Sequence, residues 1–340
     1  MKLPIVSVII VNWNGGLVFE NCLNSLSKMT FEDWELIVVD NASNDASQHL
    51  STKILKNINI KLIQNKHNLG FAPANNQGLK LARGKYVLLL NNDTKVQPDL
   101  LNTLVKKMES GSKIGVIQPK IKMMDKPGYL DNAGSFFTRI GFLKHWGFGQ
   151  KDSSEFNSET KVFSAKGACM FIRKSLVDEI ELFDPAFVSY FEESDFCWRV
   201  WLAGFQVLFY PKTYIYHKVG FTIKRMDVGN INFHYYKNRL ASLIKNLELI
   251  NLLLVLPVHL ILSLGIVLAF LLRGNPRASK MIINAIVWNC LNLGTTLRKR
   301  KTVQKMRKLR DHQFLDYLTK PIDFKGFFND FKRVEKDLVN

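Results

Sequence analysis

The first part of the chain, up to about residue 225, alternates between short apolar runs and longer segments with helical patterning. The apolar runs predict strands at Ile5–Val11, Glu35–Val39, Ile58–Ile63, Tyr86–Leu90 and Gly115–Gln118. The segments between them predict helices at Leu17–Lys28, Ala46–Leu55, Ala72–Ala82 and Asp99–Glu109. Near-continuous apolar strands separated by helices indicate a mostly parallel sheet that is covered on both faces.

The C-terminal third has a different pattern. Residues Leu249–Leu272 contain no charged side chain, and about 20 apolar residues suffice to cross a hydrocarbon core. A second apolar stretch, Met281–Leu293, is shorter and contains three asparagines, which favours an interfacial or partly inserted helix. We therefore expect a membrane hairpin or re-entrant segment with both flanks in the cytoplasm. The alternative is a buried helix of a soluble domain.

Charge is concentrated directly after these apolar stretches. The 340-residue chain has a net charge of +18, and 47% of its residues are hydrophobic, as in folded proteins. Eight basic residues fall between positions 298 and 310, namely Arg298, Lys299, Arg300, Lys301, Lys305, Arg307, Lys308 and Arg310. Such a run suits the phosphates of nucleic acid or of lipid headgroups. Because no base-reading motif accompanies it, we expect membrane lipid and no nucleic acid as a partner.

Cysteine usage and the N-terminus both indicate a reducing compartment. Cys22, Cys169, Cys197 and Cys290 show no CxxC or Cys/His spacing, so we expect buried thiols. Residues Met1–Pro4 lead directly into the first predicted strand without the pattern of a secretory signal.

Candidate chemistry follows the predicted strands. Asp40 and Asp93 each stand at the carboxyl end of a strand, where open α/β sheets place their ligands. About a hundred residues further on lies the acidic cluster Glu192–Asp195, which needs a metal, a cation or a proton-transfer role if it is buried. The chain contains neither GxGxxG nor GxxxxGK[ST], which disfavours a dinucleotide-binding protein and a P-loop NTPase. A metal-held leaving group and a carboxylate base are the equipment of a sugar-nucleotide transferase.

Eight short segments carry a family resemblance by their order and spacing. They are Val8–Gly15, Ile37–Asp45, Asn65–Asn75, Leu89–Thr94, Lys166–Met170, Phe183–Asp184, Tyr190–Arg199 and His217. Through them the chain resembles the family 2 glycosyltransferases of GT-A fold, in particular the bacterial rhamnosyltransferase-like branch. The resemblance covers roughly residues 4–240.

The resemblance implies an α/β fold, the GT-A doubly wound mixed sheet, and the apolar stretches predict a C-terminal helical membrane-associated segment after it. The GT-A domain would span 1–240, with a donor half at about 1–118 and an acceptor half at about 119–240. Residues 241–297 would form the hydrophobic membrane-associated helices, and 298–340 a basic juxtamembrane tail.

The resemblance also implies the donor. Asp40 would accept a hydrogen bond from the imide N–H of uracil or thymine, which indicates a UDP- or dTDP-sugar. An Asx turn after the strand is the alternative for this residue. Further nucleotide-binding positions implied by the resemblance are Val11, Asn12, Asn68, Gly70, Asn75 and Asn92.

The segment Asn91-Asn92-Asp93 stands where the family carries its DXD motif, with only the final acid kept. Asp93 would bind Mg²⁺ or Mn²⁺, Asn91 would offer a neutral oxygen, and His217 would complete the metal site. A structural role for His217 remains the alternative.

Glu193 occupies the position of the family's catalytic base. Because a glutamate replaces the usual aspartate, Glu192 and Asp195 remain alternatives for that role. Crowded carboxylates raise at least one pKa, which suits a base that works near neutrality. A solvated helix N-terminus would also explain the acids. Gly167 and Ala168 would lie on the acceptor side of the cleft.

Taken together, these features predict an inverting glycosyltransferase on the cytoplasmic face of the inner membrane. It would move a sugar, rhamnose by the resemblance, onto a polyprenyl-diphosphate-linked glycan in cell-surface polysaccharide assembly. The alternative is an inactive sugar-nucleotide-binding or scaffold protein of the same fold. A processive synthase is disfavoured, because no QxxRW follows the acidic cluster and too few helices could span a membrane.

Overall fold

A computed structural model describes residues 3–55, 58–221 and 228–321. The part of the predicted juxtamembrane tail beyond residue 321 therefore lies outside the described residues. The described part contains the strands β1 (Val6–Asn12), β2 (Trp34–Asp40), β3 (Asn59–Gln64), β4 (Tyr86–Leu90), β5 (Thr94–Val96), β6 (Ile114–Met123), β7 (Leu130–Asn132), β8 (Ser135–Phe137), β9 (Leu143–His145), β10 (Thr160–Lys161), β11 (Cys169–Arg173) and β12 (Gln206–His217).

Its helices are α1 (Gly16–Leu26), α2 (Leu50–Ile54), α3 (Phe71–Leu81), α4 (Leu100–Glu109), α5 (Lys174–Ile180), α6 (Glu192–Leu202), α7 (Val228–Asn246), α8 (Leu249–Leu272), α9 (Pro276–Leu291), α10 (Leu293–Met306) and α11 (His312–Leu318). Ten strands form one mixed sheet in the order β10-β12-β6-β11-β4-β1-β2-β3, with β5 beside β12 and β7 beside β6. Strands β8 and β9 form a separate hairpin.

The sheet places several chain segments at one edge. Strands β3, β2, β1 and β4 run parallel, so the segments that follow Asn12, Asp40 and Leu90 emerge on the same side. Strand β11 is antiparallel to β4 and pairs Cys169 with Leu90, which brings the start of β11 to that edge as well. At the end of β12, His217 pairs with Thr94. This arrangement gathers the predicted site residues.

Both faces of the sheet are buried, as the apolar pattern predicts. Along β1, Val8 and Ile10 pack into the core on one face, while Ile9 packs into the core on the other. The predicted strands and helices are confirmed to within a few residues, except in the segment Ala46–Leu55. There, Ala46 has a left-handed backbone, so a short 3₁₀ turn precedes α2 in place of one continuous helix.

The predicted buried thiols are confirmed for Cys22, Cys169 and Cys197, whereas Cys290 is exposed. Cys290 lies on α9, beside the exposed Leu291. The prediction of a buried thiol at this position is therefore wrong, because α9 packs against the protein through a different set of residues that includes Ile282 and Ala285.

The C-terminal helices pack on the α/β domain. Helix α7 runs through residue 240, where the sequence placed a domain boundary, and it contacts α6, α9 and α10. Helix α8 is the one described helix that is long and apolar enough to cross a membrane, by length and composition. One side of α8 is buried against the protein through Leu252, His259, Ser263, Val267 and Phe270. Its other side carries a series of exposed leucine, isoleucine and valine side chains.

Part of the basic run on α10 is engaged within the protein. The guanidinium of Arg300 donates to the carbonyl oxygens of Ile244 and Leu247, both at 2.6 Å, and so caps the end of α7. Arg307 donates to the Asn246 carbonyl and forms an ion pair with Asp311 at 2.8 Å. Two other members of the run, Lys301 and Lys305, have exposed side chains.

A buried ionic network joins α6, α7 and α10. The Lys245 ammonium lies 2.8 Å from Asp184 and 3.1 Å from Asp195. Arg199 pairs with Asp195 one helical turn away, as its spacing in the sequence suggests, and Lys299 pairs with Asp184. Burial alone would raise the pKa of Asp195, but Lys245 and Arg199 hold it below its usual value. The network makes the C-terminal helices an integral part of the fold.

We predict that Lys245→Met lowers the free energy of unfolding by about 3 to 5 kcal/mol, because it removes a cation shared by two buried carboxylates. The control is Lys85→Met, which breaks the exposed Lys85–Glu109 pair, whose side chains are 59% and 51% exposed. That change should alter the free energy by at most about 1 kcal/mol. Urea unfolding followed by tryptophan fluorescence measures both, and equal losses would contradict the network's role.

Candidate active site

A cavity of about 300 Å³ opens at the carboxyl edge of the parallel strands. Eleven of the predicted site residues line it: Val11, Asn68, Gly70, Asn91, Asn92, Asp93, Gly167, Ala168, Glu192, Glu193 and His217. They are joined by residues that the sequence did not single out, including Trp13, Asn41, Phe71, Lys166, Ser189 and Tyr190. Four predicted site residues, Asn12, Asp40, Asn75 and Asp195, are buried outside the lining.

Asn12 and Asp40 form a layer directly behind the cavity wall. The Asn12 amide donates to Asp40 Oδ1 at 3.0 Å, and its own oxygen accepts from Asn92 Nδ2 at 3.0 Å. The backbone N–H of Ser43 donates to Asp40 Oδ2 at 3.0 Å, which is the turn contact that the sequence left as an alternative. Asn75 donates to the Phe71 carbonyl of its own helix. Asn92 lines the cavity, so its hydrogen bond to Asn12 connects this layer to the cavity wall.

Asn68 and Gly70 shape the neighbouring wall. Asn68 Oδ1 accepts hydrogen bonds from Asn41 Nδ2 at 2.8 Å and from the Gly70 backbone at 2.9 Å. Gly70 has a φ of +89°, and a Cβ there would lie 2.6 Å from the Val188 carbonyl oxygen. The close approach that glycine permits at position 70 is therefore made by the protein's own chain, which brings the 184–191 loop to the cavity.

One end of the cavity holds a chain of alternating charges. His217 Nε2 lies 3.2 Å from Asp93, and His217 Nδ1 lies 2.8 Å from Asp131. Asp131 in turn receives two hydrogen bonds of 2.7 Å from Lys166. Burial alone would lower the pKa of His217, but the two carboxylates raise it to about 9. Asp131 is likewise held well below its usual pKa by Lys166 and His217, despite its burial.

This end also offers oxygen ligands. Within the described residues, Asn91 Oδ1 is buried and accepts no hydrogen bond, and Asp93 Oδ1 is buried with His217 Nε2 at 3.2 Å as its partner. Carboxylate and amide oxygens suit Mg²⁺ and Mn²⁺, and an imidazole held by a carboxylate on its far nitrogen is the usual arrangement of a metal-binding histidine. The residues present therefore fit a divalent cation. Nevertheless, the described residues contain no group of three or more histidine, cysteine, aspartate or glutamate side chains at metal-binding spacing.

The acids Glu192 and Glu193 occupy the first turn of α6, directly after a strained turn. Tyr190 and Phe191 both have positive φ, 67° and 70°. Such conformations in residues other than glycine cost about 1 to 3 kcal/mol each and occur mainly at functional sites. Among the described residues, neither Glu192 Oε2 nor Glu193 Oε2 has a hydrogen-bond partner.

The environment of this pair favours the protonated form. Burial raises the pKa of Glu192 well above its usual value, and the Glu193 carboxylate adds to the rise. Burial also raises the pKa of Glu193, while backbone N–H groups and Lys166 offset part of the rise. A carboxylate whose pKa is raised in this way is a stronger base than one in water, which suits a proton acceptor.

Asp195 has a different environment, although the sequence places it in the same cluster. Its side chain is fully buried and accepts hydrogen bonds from Ser242 at 2.8 Å and from Asn246 at 2.9 Å, besides its ion pairs. Asp195 is thus saturated by partners behind the cavity, while Glu192 and Glu193 face into it.

Gly167 and Ala168 connect the two ends. The Ala168 carbonyl accepts from the Asn91 backbone at 3.0 Å, and a Cβ on Gly167 would lie 3.9 Å from the Glu193 Cβ. The loop before β11 therefore passes between the Asn91–Asp93 segment and the acids.

Sequence reasoning gave no role to Asp131 and Lys166. Lys166 belongs to a segment that carried the resemblance, so its position at the cavity could have been predicted from the sequence. Asp131 could have been noticed only as a single acid in the short segment Leu130-Asp131-Asn132. Its partners lie 35 and 86 residues away, and only the fold brings them together.

The chain is similar to known proteins in sequence and in structure. It is 23% identical over 208 residues to the poly-beta-1,6-N-acetyl-D-glucosamine synthase of Staphylococcus aureus, a match covering 61% of this chain and 48% of that protein. The chain thus spans about half the length of the curated relatives it matches.

Two solved structures share the fold. That of residues 1–349 of S. aureus TarS in complex with UDP-GlcNAc has a TM-score of 0.58 at 20% identity, covering 90% of this chain and 84% of that one. That of GalNAc-T7 with UDP, GalNAc and Mn²⁺ has a TM-score of 0.53 at 19% identity, covering 64% and 43%. The mixed α/β sheet is therefore that of the GT-A glycosyltransferases. Residues 7–181 match the family description Glycosyl transferase family 2, and the chain belongs to this family.

Proposed function

We propose that this protein transfers a sugar from a UDP- or dTDP-sugar to a hydroxyl group of an acceptor, with inversion at the anomeric carbon. One observation carries the proposal. A single cavity is lined by the buried side-chain oxygens of Asn91 and Asp93 and by the two desolvated carboxylates of Glu192 and Glu193. It thus combines a site for a leaving diphosphate with a site for proton removal.

The donor proposal starts from Asp40 and its layer. Asp40 lies behind the wall that Val11, Asn68 and Asn92 line, where the resemblance puts the uracil or thymine ring. The complexes of TarS with UDP-GlcNAc and of GalNAc-T7 with UDP support a uridine donor, with thymidine as the alternative that the resemblance implies. The proposal for rhamnose as the transferred sugar rests on the resemblance to the rhamnosyltransferase-like branch.

Asp93, Asn91 and His217 would hold Mg²⁺ or Mn²⁺, and the cation would supply positive charge for the departing diphosphate. The Mn²⁺ in the GalNAc-T7 structure supports this choice. Asp131 holds His217 by its Nδ1, which leaves Nε2 directed toward Asp93. Lys166 is anchored by the same aspartate and places a cation at the cavity wall.

Glu193 would act as the base. As the acceptor oxygen attacks the anomeric carbon and the bond to the diphosphate breaks, the hydroxyl proton passes to the Glu193 carboxylate. A single displacement of this kind inverts the anomeric centre, whereas retention through a covalent intermediate requires a second, nucleophilic carboxylate. Glu192 remains the alternative base. The saturated contacts of Asp195 favour a supporting role for that residue.

We also propose that the protein sits on the cytoplasmic face of the inner membrane and takes a polyprenyl-diphosphate-linked glycan as its acceptor. The exposed apolar side of α8 supports this location. On its buried side, Asn251 donates to Asp311 at 2.9 Å, and His259 accepts from Arg239 at 3.2 Å. If α8 crossed the hydrocarbon core, Asp311 and Arg239 would have to lie in the membrane beside it, which is energetically costly. We therefore favour α8 lying in the membrane interface, with its exposed side toward the acyl chains.

The second candidate is a sugar-nucleotide-binding or scaffold protein without turnover. The observation that favours it is the reduced motif Asn91-Asn92-Asp93, with a single acid. Glu192 and Glu193 argue against it, because desolvating two carboxylates that have no ion pair among the described residues is costly and gives a scaffold no advantage.

We predict that Glu193→Gln lowers kcat for sugar transfer by about 10² to 10⁴-fold, the usual contribution of a general base, and leaves the Kd for the donor nucleotide unchanged. Glu192→Gln should have a smaller effect. Glu109→Gln, at an exposed surface pair, is the matched control and should leave transfer intact. Transfer from the donor to a lipid-linked acceptor, with calorimetry of nucleotide binding, measures both quantities. A parallel loss of binding would count against the base assignment.

We predict that the protein floats with vesicles containing anionic lipid in a density gradient. The double variant Ile261→Lys/Leu268→Lys places charges on the exposed side of α8 and should abolish flotation, because both side chains are more than half exposed there. Leu62→Lys, at a partly exposed leucine of β3, serves as the control and should float like the wild type. Flotation that survives the double variant would rule out the α8 surface.

A further inference from the structure

Helix α7 presents a buried polar face to the acid-bearing helix α6. Asn238, Ser242, Lys245 and Asn246 recur at helical spacing, so they share one side of α7. All four are buried, and the exposed fraction of each is at most 3%. Apolar residues would suffice to pack α7 against its neighbours. Burying polar side chains costs free energy unless each one finds a hydrogen-bond partner, so the partners of this face show what it does.

Asn238 uses both of its amide hydrogens on the strained turn before the acids. Its Nδ2 donates to the Ser189 carbonyl at 2.9 Å and to the Tyr190 carbonyl at 2.6 Å. Its oxygen accepts no hydrogen bond from the described residues. Asn238 therefore serves this turn as a pure donor.

The turn decides where the acids point. Phe191 immediately precedes α6, and its carbonyl accepts the first helical hydrogen bond, from the Asp195 backbone at 2.9 Å. Glu192 and Glu193 follow at once, so any rotation of the Tyr190 and Phe191 backbone moves both carboxylates. A left-handed pair of this kind persists only where the surroundings enforce it.

The remaining polar residues of the face fix the other side of the same helical turn. Ser242 and Asn246 both donate to Asp195 Oδ1, at 2.8 Å and 2.9 Å, and Lys245 pairs with the same carboxylate. Asp195 lies two residues after Glu193. The first turn of α6 is thus held at both ends by α7.

We propose that Asn238 is a positioning residue for sugar transfer. It fixes the Ser189–Phe191 turn in its left-handed conformation and thereby directs Glu192 and Glu193 into the cavity. The inference rests on the proposed function in that it takes one of these two acids to be the base. It assigns to α7, beyond the matched family region at 7–181, a direct part in the geometry of the active site.

The test is Asn238→Asp, which keeps the shape of the side chain, removes both N–H donors and turns an oxygen toward two carbonyl oxygens. We expect kcat to fall by about 10 to 100-fold, since a displacement of about 1 Å can cost 10²-fold, while the Kd for the donor nucleotide stays unchanged. Amide hydrogen exchange should accelerate at residues 189–195.

Asn289→Asp is the matched control. The Asn289 amide also donates to two carbonyl oxygens, those of Lys237 and Ala285, and its oxygen likewise has no partner among the described residues. It lies on α9, away from the cavity lining. Asn289→Asp should lower stability to a similar degree and leave kcat per folded molecule and the exchange at 189–195 unchanged.

Three outcomes would overturn the inference: an unchanged kcat in Asn238→Asp, an equal loss of kcat in both variants, or unchanged exchange at 189–195. Failure of the proposed function is distinguishable, because the wild type itself would then show no transfer. The positioning role in transfer would fall with it, while faster exchange confined to 189–195 would still identify Asn238 as the residue that holds the turn.

Discussion

Desolvation of carboxylates is the constraint on which the active-site region depends. Six acids lie in or behind the cavity, at Asp93, Asp131, Asp184, Asp195, Glu192 and Glu193. An ionised carboxylate loses its hydration on burial and must regain it from cations or donors. The four aspartates have such partners, supplied by His217, Lys166, Lys245, Lys299 and Arg199. Among the described residues the two glutamates have no ion pair and each keeps one oxygen without a hydrogen bond, so burial raises their pKa values. The same physics thus separates supporting acids from reactive ones.

This constraint also explains why the C-terminal helices belong to the active site. Lys245 and Lys299 come from α7 and α10, and the amides that hold the turn before Glu192 and complete the shell of Asp195 come from α7. Helix α8 follows α7 after two residues and exposes an apolar side. If α8 binds a membrane surface, α7 therefore links that surface directly to the turn that positions Glu192 and Glu193.

Much of the fold could be predicted from local patterns, because the strands are continuous apolar runs and the loops after them carry polar residues. Two parts of the candidate site, Asn91–Asp93 and Glu192–Glu193, could also be picked out from local sequence, because each belongs to a short recognisable motif. The roles within the acidic cluster were not predictable, since Asp195 and Glu193 differ only in partners that lie up to 51 residues away in the sequence. Likewise, Arg300 reads as part of a phosphate-binding run but caps α7. Such contacts between distant segments leave no periodic signal.

Donor binding tests the central claim most directly. Calorimetric titration of the purified protein with UDP, dTDP, ADP and GDP, each with and without Mn²⁺, compares the bases and the metal dependence in one series. The account predicts binding of UDP or dTDP alone, tighter with Mn²⁺ and lost in Asp93→Ala. Equal binding of all four nucleotides, or of none, would contradict it.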